Sequence, residues 1–124
     1  MRKEERDPLT EKIIACCFKV HNALGPGFGE KVYHKAVIVA LKDEGLKSVS
    51  EKEYEVRFAG KQVGKFRCDL LVEAKIVVEL KAVKGIMPAV FRSQVIAYLK
   101  ASGLKTGLLV NFGNASVQVT RIAN

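Results

Sequence analysis

The pattern that most limits the fold is a pair of alternating apolar and polar runs on either side of Glu73-Ala74-Lys75. Alternation with a period of two residues indicates β-strands, so residues 62–72 and 76–82 are predicted to form a hairpin about this three-residue loop. In this register one face of the hairpin is wholly apolar, and a slip by one residue would put charges on it. The predicted pairs on the apolar face are Phe66 with Ala82, Cys68 with Leu80, Leu70 with Val78 and Val72 with Ile76.

The opposite face of the predicted hairpin carries charged residues. Asp69 is expected directly across from Glu79, and Lys81 is two residues further along the same strand. Two like charges side by side destabilise a strand pair, but a divalent cation, which prefers hard oxygen ligands, would offset their repulsion. A lysine beside that cation can neutralise developing charge or help to activate a water, as phosphodiester hydrolysis requires. The alternative interpretation is a solvated strand face on which Lys81 and Arg67 screen the acids.

The rest of the chain supplies the order of elements. Apolar residues recur at helical spacing in three segments, and a glycine follows the last turn of each. The run from Gly25 to Gly29 is predicted to be a tight connection between helices, because it lacks the Gly-Lys-Ser/Thr ending of a phosphate loop. The expected order α-α-β-β-β-α-β-β is that of an α/β fold in which helices cover a mixed sheet. The predicted helices cover residues 8–24, 30–44 and 88–102, and the predicted strands cover 53–58, 62–72, 76–82, 108–110 and 117–122.

Length and composition are those of one ordinary globular domain. The 124 residues, 48% hydrophobic and 27% charged, exclude a disordered tail and a fibre and predict a single domain over 1–124, with about the first six residues flexible. No apolar stretch is long enough for a membrane span, and the N-terminus does not resemble a secretion signal. The three cysteines, Cys16, Cys17 and Cys68, lack metal spacing and are interpreted as small buried hydrophobes in a reducing cytoplasm.

The charge balance points to an anionic partner. Twenty-one Lys and Arg residues against thirteen Asp and Glu give a formal net charge of +8. Such a balance favours phosphate-bearing partners or an anionic membrane surface. No amphipathic basic helix supports membrane binding, so nucleic acid is the favoured partner. The basic residues are spread along the chain, and any basic patch must therefore be assembled by folding.

Asp69, followed after nine residues by Glu79-Leu80-Lys81, resembles the motif of the PD-(D/E)XK nuclease superfamily. The resemblance implies a restriction-endonuclease-like core in which the Asp and the Glu bind Mg²⁺, with Mn²⁺ as a substitute, and the Lys assists hydrolysis. The proline that names the motif is absent, since Arg67-Cys68 precedes Asp69.

A second motif narrows the resemblance. Gly27-Phe28-Gly29-Glu30-Lys31-Val32-Tyr33 fits the Gly-x-x-Glu-x-x-Tyr pattern of the small GxxExxY family, which is itself similar to these nucleases. The resemblance extends from about Ile13 to Val119. It implies a metal-site role for Glu30, although a carboxylate in the first turn of a helix also suits the helix dipole without any function.

The same resemblance suggests further site residues. A glutamine in the position of Gln94 lines the active site of related nucleases, and Tyr98 lies one turn later on the same helix face. The alternative for Gln94 is a solvated surface position. Tyr33 is expected either to bond a carboxylate or to pack in the core, and Arg67 is a possible supporting cation.

Two classes of function remain open at this point. In the first, the protein is a metal-dependent nuclease, with DNA favoured over RNA as substrate. Its metal would be held by Asp69, Glu79 and Glu30, and Lys81 and Gln94 would position the attacking water. In the second, the same fold serves as a non-catalytic nucleic-acid-binding or protein-interaction scaffold. A homodimer is a further expectation, because the apolar last strand suits an interface.

Overall fold

The computed structural model describes residues 7–124 and has the predicted order of three helices and five strands. The expectation that about the first six residues are flexible lies outside the described part of the chain. Within that part, no helix is long and apolar enough to cross a membrane. The helices are α1 (Pro8–Leu24), α2 (Glu30–Asp43) and α3 (Ala89–Ser102), and the strands are β1 (Ser48–Phe58), β2 (Lys61–Val72), β3 (Ile76–Lys81), β4 (Thr106–Asn111) and β5 (Gln118–Ala123).

The five strands form one mixed sheet in the order β1-β2-β3-β4-β5. The β1–β2, β2–β3 and β4–β5 pairs are antiparallel, whereas β3 and β4 run parallel and are joined by a crossover through α3. This parallel pair is the reason for the helix between the two strands, since parallel neighbours need a long connection. The predicted α/β fold with helices flanking a mixed sheet is confirmed.

Both faces of the central sheet are buried, each under different helices. The α1–α2 side packs against one set of strand residues, which includes Leu70, Val78 and Leu108. The α3 side covers the alternate set, which includes Leu71 and Val77. Because both faces of the sheet are covered, the sequences of β3 and β4 are almost continuously apolar. The polar Glu79 within β3 is an exception.

Helix α1 has the predicted bounds, and α2 begins at the predicted residue and ends one residue earlier than predicted. The Asp7 side chain accepts a hydrogen bond from the Leu9 N–H at 3.0 Å and caps α1, with Pro8 as the first helical residue. Gly25, with φ of 69°, ends the helix. The Tyr33 hydroxyl donates to the Gly25 carbonyl at 2.5 Å, so a side chain of α2 closes the glycine-rich connection.

The hairpin register is confirmed near the loop and wrong beyond it. Backbone pairing joins Val72 to Ile76 and Leu70 to Val78, as predicted, but no pairing continues to the expected partners of Cys68 and Phe66. Past Leu70, strand β2 leaves β3 and continues only with β1. Cys68 joins the core under α3, and the Phe66 ring stacks on that of Tyr98 in α3. The predicted single apolar face is therefore split between the two sides of the sheet.

Strand β1 is longer than predicted. It begins at Ser48, five residues before the predicted start, and residues 48–52 pair with the end of β2. The sequence of this part does not alternate, because an edge strand that lies exposed on both faces needs no apolar side. Glu51 has a φ of 53°, an irregularity where β1 passes Asp69. All three cysteines are buried and free, in agreement with their interpretation as small hydrophobes.

A buried asparagine fixes the segment that follows β3. Asn111 is 0% exposed and lies opposite Lys81 in the β3–β4 register. Its side chain accepts from the Val83 N–H at 2.8 Å and donates to the Val83 carbonyl at 2.9 Å. The same oxygen accepts from the Gly113 N–H at 3.1 Å. One side chain thus satisfies the backbone groups of a loop that directly follows the Glu-x-Lys sequence.

We predict that Asn111→Ala destabilises the protein by about 2–4 kcal/mol, because it leaves three part-buried backbone groups without their partner. Urea denaturation of the full chain measures the loss. The matched control, Asn22→Ala at an exposed position of α1, is expected to change stability by no more than about 0.5 kcal/mol. Equal effects of the two substitutions would show that the Asn111 side chain does not hold this loop.

Candidate metal and catalytic site

Two carboxylates meet where β2 and β3 separate. Asp69 Oδ2 accepts a hydrogen bond from the Leu80 N–H at 2.8 Å. Reciprocally, Glu79 Oε2 accepts a long hydrogen bond of 3.4 Å from the Asp69 N–H. Side chains thereby take the places of the backbone partners that a continuous ladder would supply. The structure brings Asp69 and Glu79 together as the sequence predicts, although their roles stay predictions.

Burial sets the protonation of this pair. Glu79 is 6% exposed, and the loss of solvation raises its pKa to about 9. The neighbouring Asp69 acts in the same direction, by a hydrogen bond between the side chains and by its charge, while Lys81 acts against it. Without a cation, the pair therefore holds a proton near neutral pH. Glu79 lies at the buried end of the site, and the half-buried Asp69 lies at the end that faces solvent.

Lys81 lies beside the pair on the half-exposed side. Its Nζ is 4.1 Å from the centroid of the Phe91 ring, in the first turn of α3. The positive charge lowers the pKa of Glu79, which places it within electrostatic reach of the carboxylates. A cation over an aromatic face is held in place without a hydrogen bond. Helical spacing of apolar residues predicts the helix that carries Phe91, but nothing in the sequence indicates the contact of its ring with Lys81.

Tyr98 faces the same region from α3. Its ring stacks on Phe66 at a centroid distance of 4.4 Å, and Phe66 in turn stacks on Tyr54 at 5.2 Å. Burial raises the pKa of Tyr98, and the charges of Glu79 and Asp69 raise it further. The predicted supporting residue therefore lies close to the carboxylates, and the ring stack fixes its position.

Two further predicted site residues, Glu30 and Gln94, form no hydrogen bond with Asp69 or Glu79 in the described part of the chain. Glu30 is exposed in the first turn of α2. Between residues 7 and 124, no group of three or more His, Cys, Asp or Glu side chains could hold a metal ion, so Glu30 does not complete a ligand set with Asp69 and Glu79. Gln94 is exposed in α3, three residues after Phe91 and four before Tyr98, so it lies on the helix face that borders the carboxylates. The site roles of Glu30 and Gln94 stay predictions.

Tyr33 and Arg67 have other partners than those expected at the site. Tyr33 is fully buried, where its hydroxyl bonds the Gly25 carbonyl and its ring stacks on Phe112 at 4.6 Å. It therefore packs in the core and does not reach the carboxylates. The Arg67 guanidinium lies 3.6 Å from Glu51 and 4.0 Å from a second β1 carboxylate, and these are exposed ion pairs. Among the described residues Arg67 therefore forms ion pairs with acids of β1 and none with Asp69 or Glu79, and its supporting role at the site stays a prediction.

Comparison with known proteins gives a family and a fold. A family model described as the PD-(D/E)XK nuclease superfamily matches residues 7–122. The solved structure of SSO0001 is similar, with a TM-score of 0.61 and 22% sequence identity. The similarity covers 76% of this chain and 49% of that one, so this chain spans about half the length of SSO0001. At that identity the likeness shows the fold alone. No curated protein matches the chain.

We predict that the buried acid weakens the metal-free protein as the pH rises. The pKa of Glu79 is about 9 in the folded protein, against 4.5 for an unperturbed glutamate, so the folded state holds the proton more tightly between these values. Stability gained from this proton is complete below about pH 4.5 and is lost as the pH approaches about 9. In EDTA, the free energy of unfolding should fall by up to about 1.4 kcal/mol per pH unit over this range.

The Glu79→Gln variant should lack most of this decline, because an amide does not ionise. Urea denaturation between about pH 6 and about pH 9 provides the measurement. The control is Glu53→Gln, which removes an exposed carboxylate 4.0 Å from Arg67 and should leave the pH dependence as it is. A decline of the same size in Glu79→Gln and in the unmodified protein would contradict the assignment.

Proposed function

The chain belongs to the PD-(D/E)XK nuclease superfamily, and from this premise we propose that it is a divalent-metal-dependent nuclease that hydrolyses phosphodiester bonds, with DNA favoured over RNA. The observation that carries the proposal is the contact of Asp69 with Glu79 in the fork between β2 and β3. A carboxylate buried against another carboxylate is costly, and structural roles are filled at lower cost by apolar residues. The arrangement is typical of a site that takes up a cation.

The donor set fits a divalent cation of the Mg²⁺ type. Both side chains offer hard oxygen ligands, and Mg²⁺ is commonly held by only one or two carboxylates together with water and substrate phosphate. The backbone hydrogen bonds fix Asp69 through Oδ2 and Glu79 through Oε2. Asp69 and Glu79 are therefore the proposed ligands, with Mn²⁺ as a substitute for Mg²⁺. When bound, such a cation supplies a water of lowered pKa and neutralises charge on the phosphate.

The residues of the chain then perform the remaining tasks. Asp69 presents its carboxylate at the solvent end of the site, and the Leu80 N–H holds it there. Lys81, fixed over the Phe91 ring, offers a positive charge beside the carboxylates for the charge that develops on the phosphate. Tyr98 closes the side toward α3. The net charge of +8 favours association with a nucleic-acid backbone, a sequence-independent attraction that weakens with salt.

We predict that Asp69→Asn nearly abolishes both metal binding and cleavage, because the amide removes the charge that faces the cation. Cleavage of supercoiled and linear DNA and of RNA is followed in Mg²⁺, Mn²⁺ and EDTA, and metal binding is measured by calorimetry. Asp43→Asn, at the exposed end of α2, is the matched control and should retain both activities. Unchanged cleavage by Asp69→Asn would mean that the fork is not the catalytic site.

Lys81→Ala should separate binding from turnover. An ammonium group is not a metal ligand, so the variant is expected to bind Mn²⁺ as the unmodified protein does. Its turnover should fall by about 10²–10³, as for the loss of one group that stabilises transition-state charge. Calorimetry and single-turnover cleavage on the same preparation test the two expectations. A parallel loss of metal affinity would contradict the assigned role.

The competing function is a nucleic-acid-binding scaffold without turnover. It would bind DNA or RNA with the same steep salt dependence, because that attraction does not involve the carboxylates. The cleavage assay distinguishes the two functions. Binding without metal-dependent cleavage by the unmodified protein, across both nucleic acids and both metals, would favour the scaffold.

A further inference from the structure

A cavity of about 660 Å³ reaches Leu109, the strand neighbour of Glu79, and none of the site residues described above lines it. It is bounded by the loop after β3, by the first turn of α3 and by the turn between β4 and β5. Ile86 and Met87 come from the loop, Arg92 from the helix, and Leu109 from the floor of the sheet. Its size is in the range of ordinary small-ligand sites, which hold one nucleotide-sized group.

The sheet register places this cavity next to the site. Leu109 is the direct partner of Glu79 in the parallel β3–β4 pair, and neighbouring strands lie about 4.8 Å apart. Side chains at paired positions of adjacent strands point to the same face, so the floor of the cavity continues the surface that carries Glu79. From the helix side, Arg92 directly follows Phe91, the residue over which the Lys81 ammonium lies.

The lining combines apolar surface with four uncharged polar residues and one cation. Met87 and Leu109 are apolar, and the side chain of Ile86 is 95% exposed at the rim. No acidic side chain lines the cavity. Arg92 is exposed, and within residues 7–124 no carboxylate lies within 4.0 Å of its guanidinium. An apolar slot with an uncompensated guanidinium at its edge suits a flat ring joined to a phosphate.

We propose that this cavity binds one nucleotide of the substrate strand, next to the phosphate that is cleaved. The base packs against Met87 and Leu109 under the rim at Ile86, and Arg92 binds its phosphate. The Thr120 side chain, which also lines the cavity, offers a polar contact to the base edge. The proposal rests on the proposed nuclease function and specifies its substrate, because a base can enter such a cavity only when it is unstacked and unpaired. The preferred substrate is then single-stranded or locally unpaired nucleic acid.

The test measures nucleotide binding and not cleavage, so its result does not depend on whether the protein is a nuclease. Deoxyadenosine monophosphate is titrated into the full chain in EDTA, and the methyl resonances of Met87 and Ile86 and the backbone amide of Arg92 are followed by NMR. The expected result is a saturable shift at these three residues. Asp69→Asn, which the proposed function expects to be inactive in cleavage, should bind the nucleotide as the unmodified protein does.

Two variants and one ligand control make the assignment specific. Ala115→Trp, which fills the cavity from its exposed rim, and Arg92→Ala should each weaken binding by about tenfold or more. Ala101→Trp, an equal change at an exposed position near the far end of α3, should not weaken it. Deoxyribose 5-phosphate, which lacks the base, should bind about tenfold or more weaker than the nucleotide.

Each outcome decides the proposal. Shifts confined to the cavity that are lost in Ala115→Trp and in Arg92→Ala support it, even if the protein proves not to cleave nucleic acid. Equal binding of the nucleotide and of deoxyribose 5-phosphate would overturn it, since the base would then make no contact. Shifts elsewhere, or no saturable shift at millimolar nucleotide, would overturn it while leaving the nuclease function to be judged by cleavage.

Discussion

The hydrogen bond from the Leu80 N–H to the Asp69 carboxylate is the interaction on which the rest of the site depends. A side chain occupies the place of a backbone carbonyl, so the β2–β3 ladder ends at Leu70 and Val78 and the two strands separate. Because β2 is released, it turns with β1 toward α3, and Phe66 reaches Tyr98. The fork and the aromatic stack beside it thus occur together with one substituted hydrogen bond.

The burial of Glu79 beside Asp69 is electrostatically unfavourable, and it occurs in the middle of a well-packed sheet. Glu79 lies between apolar residues of β3, is buried, and touches a second carboxylate, and its pKa of about 9 expresses the cost. Tight packing on both faces of the sheet holds it there, with Lys81 as the nearby counter-charge. Such local instability within a stable frame is common at functional sites, where a ligand relieves it.

The elements and the register near the loop could be predicted, because alternation and helical spacing report which side chains are buried. Leu70, Val72, Ile76 and Val78 were placed correctly on this ground. The fork could not be predicted, since alternation assumes that a ladder continues and carries no sign that Asp69 replaces a backbone acceptor. For the site, the alternating pattern predicts that Asp69 and Glu79 lie close together. The position of a residue on another helix or strand depends on packing, which the pattern does not describe.

The dependence of position on packing is illustrated by Glu30, Tyr33 and Gln94. A motif or a helix face suggested each of them for the site, with helix capping, core packing or solvation as the alternative. These features fix the neighbours of a residue on its own helix but not the direction in which the helix presents it. Tyr33 closes the connection at Gly25, an interaction over eight residues that a tight glycine-rich turn makes possible. Glu30 and Gln94 are exposed, and exposure alone does not distinguish an active-site position from a solvated one, so their roles stay predictions.

The most direct test of the account is an anomalous-scattering map from crystals of the protein grown or soaked in Mn²⁺. The account predicts a peak in the β2–β3 fork, within about 2.0–2.6 Å of a carboxylate oxygen of Asp69 and of Glu79, the range of oxygen ligands to such cations. The peak should be absent from crystals of Asp69→Asn. A map with no peak in the fork at a saturating Mn²⁺ concentration, or with its only peak at other residues, would contradict the claim that these two carboxylates form the metal site.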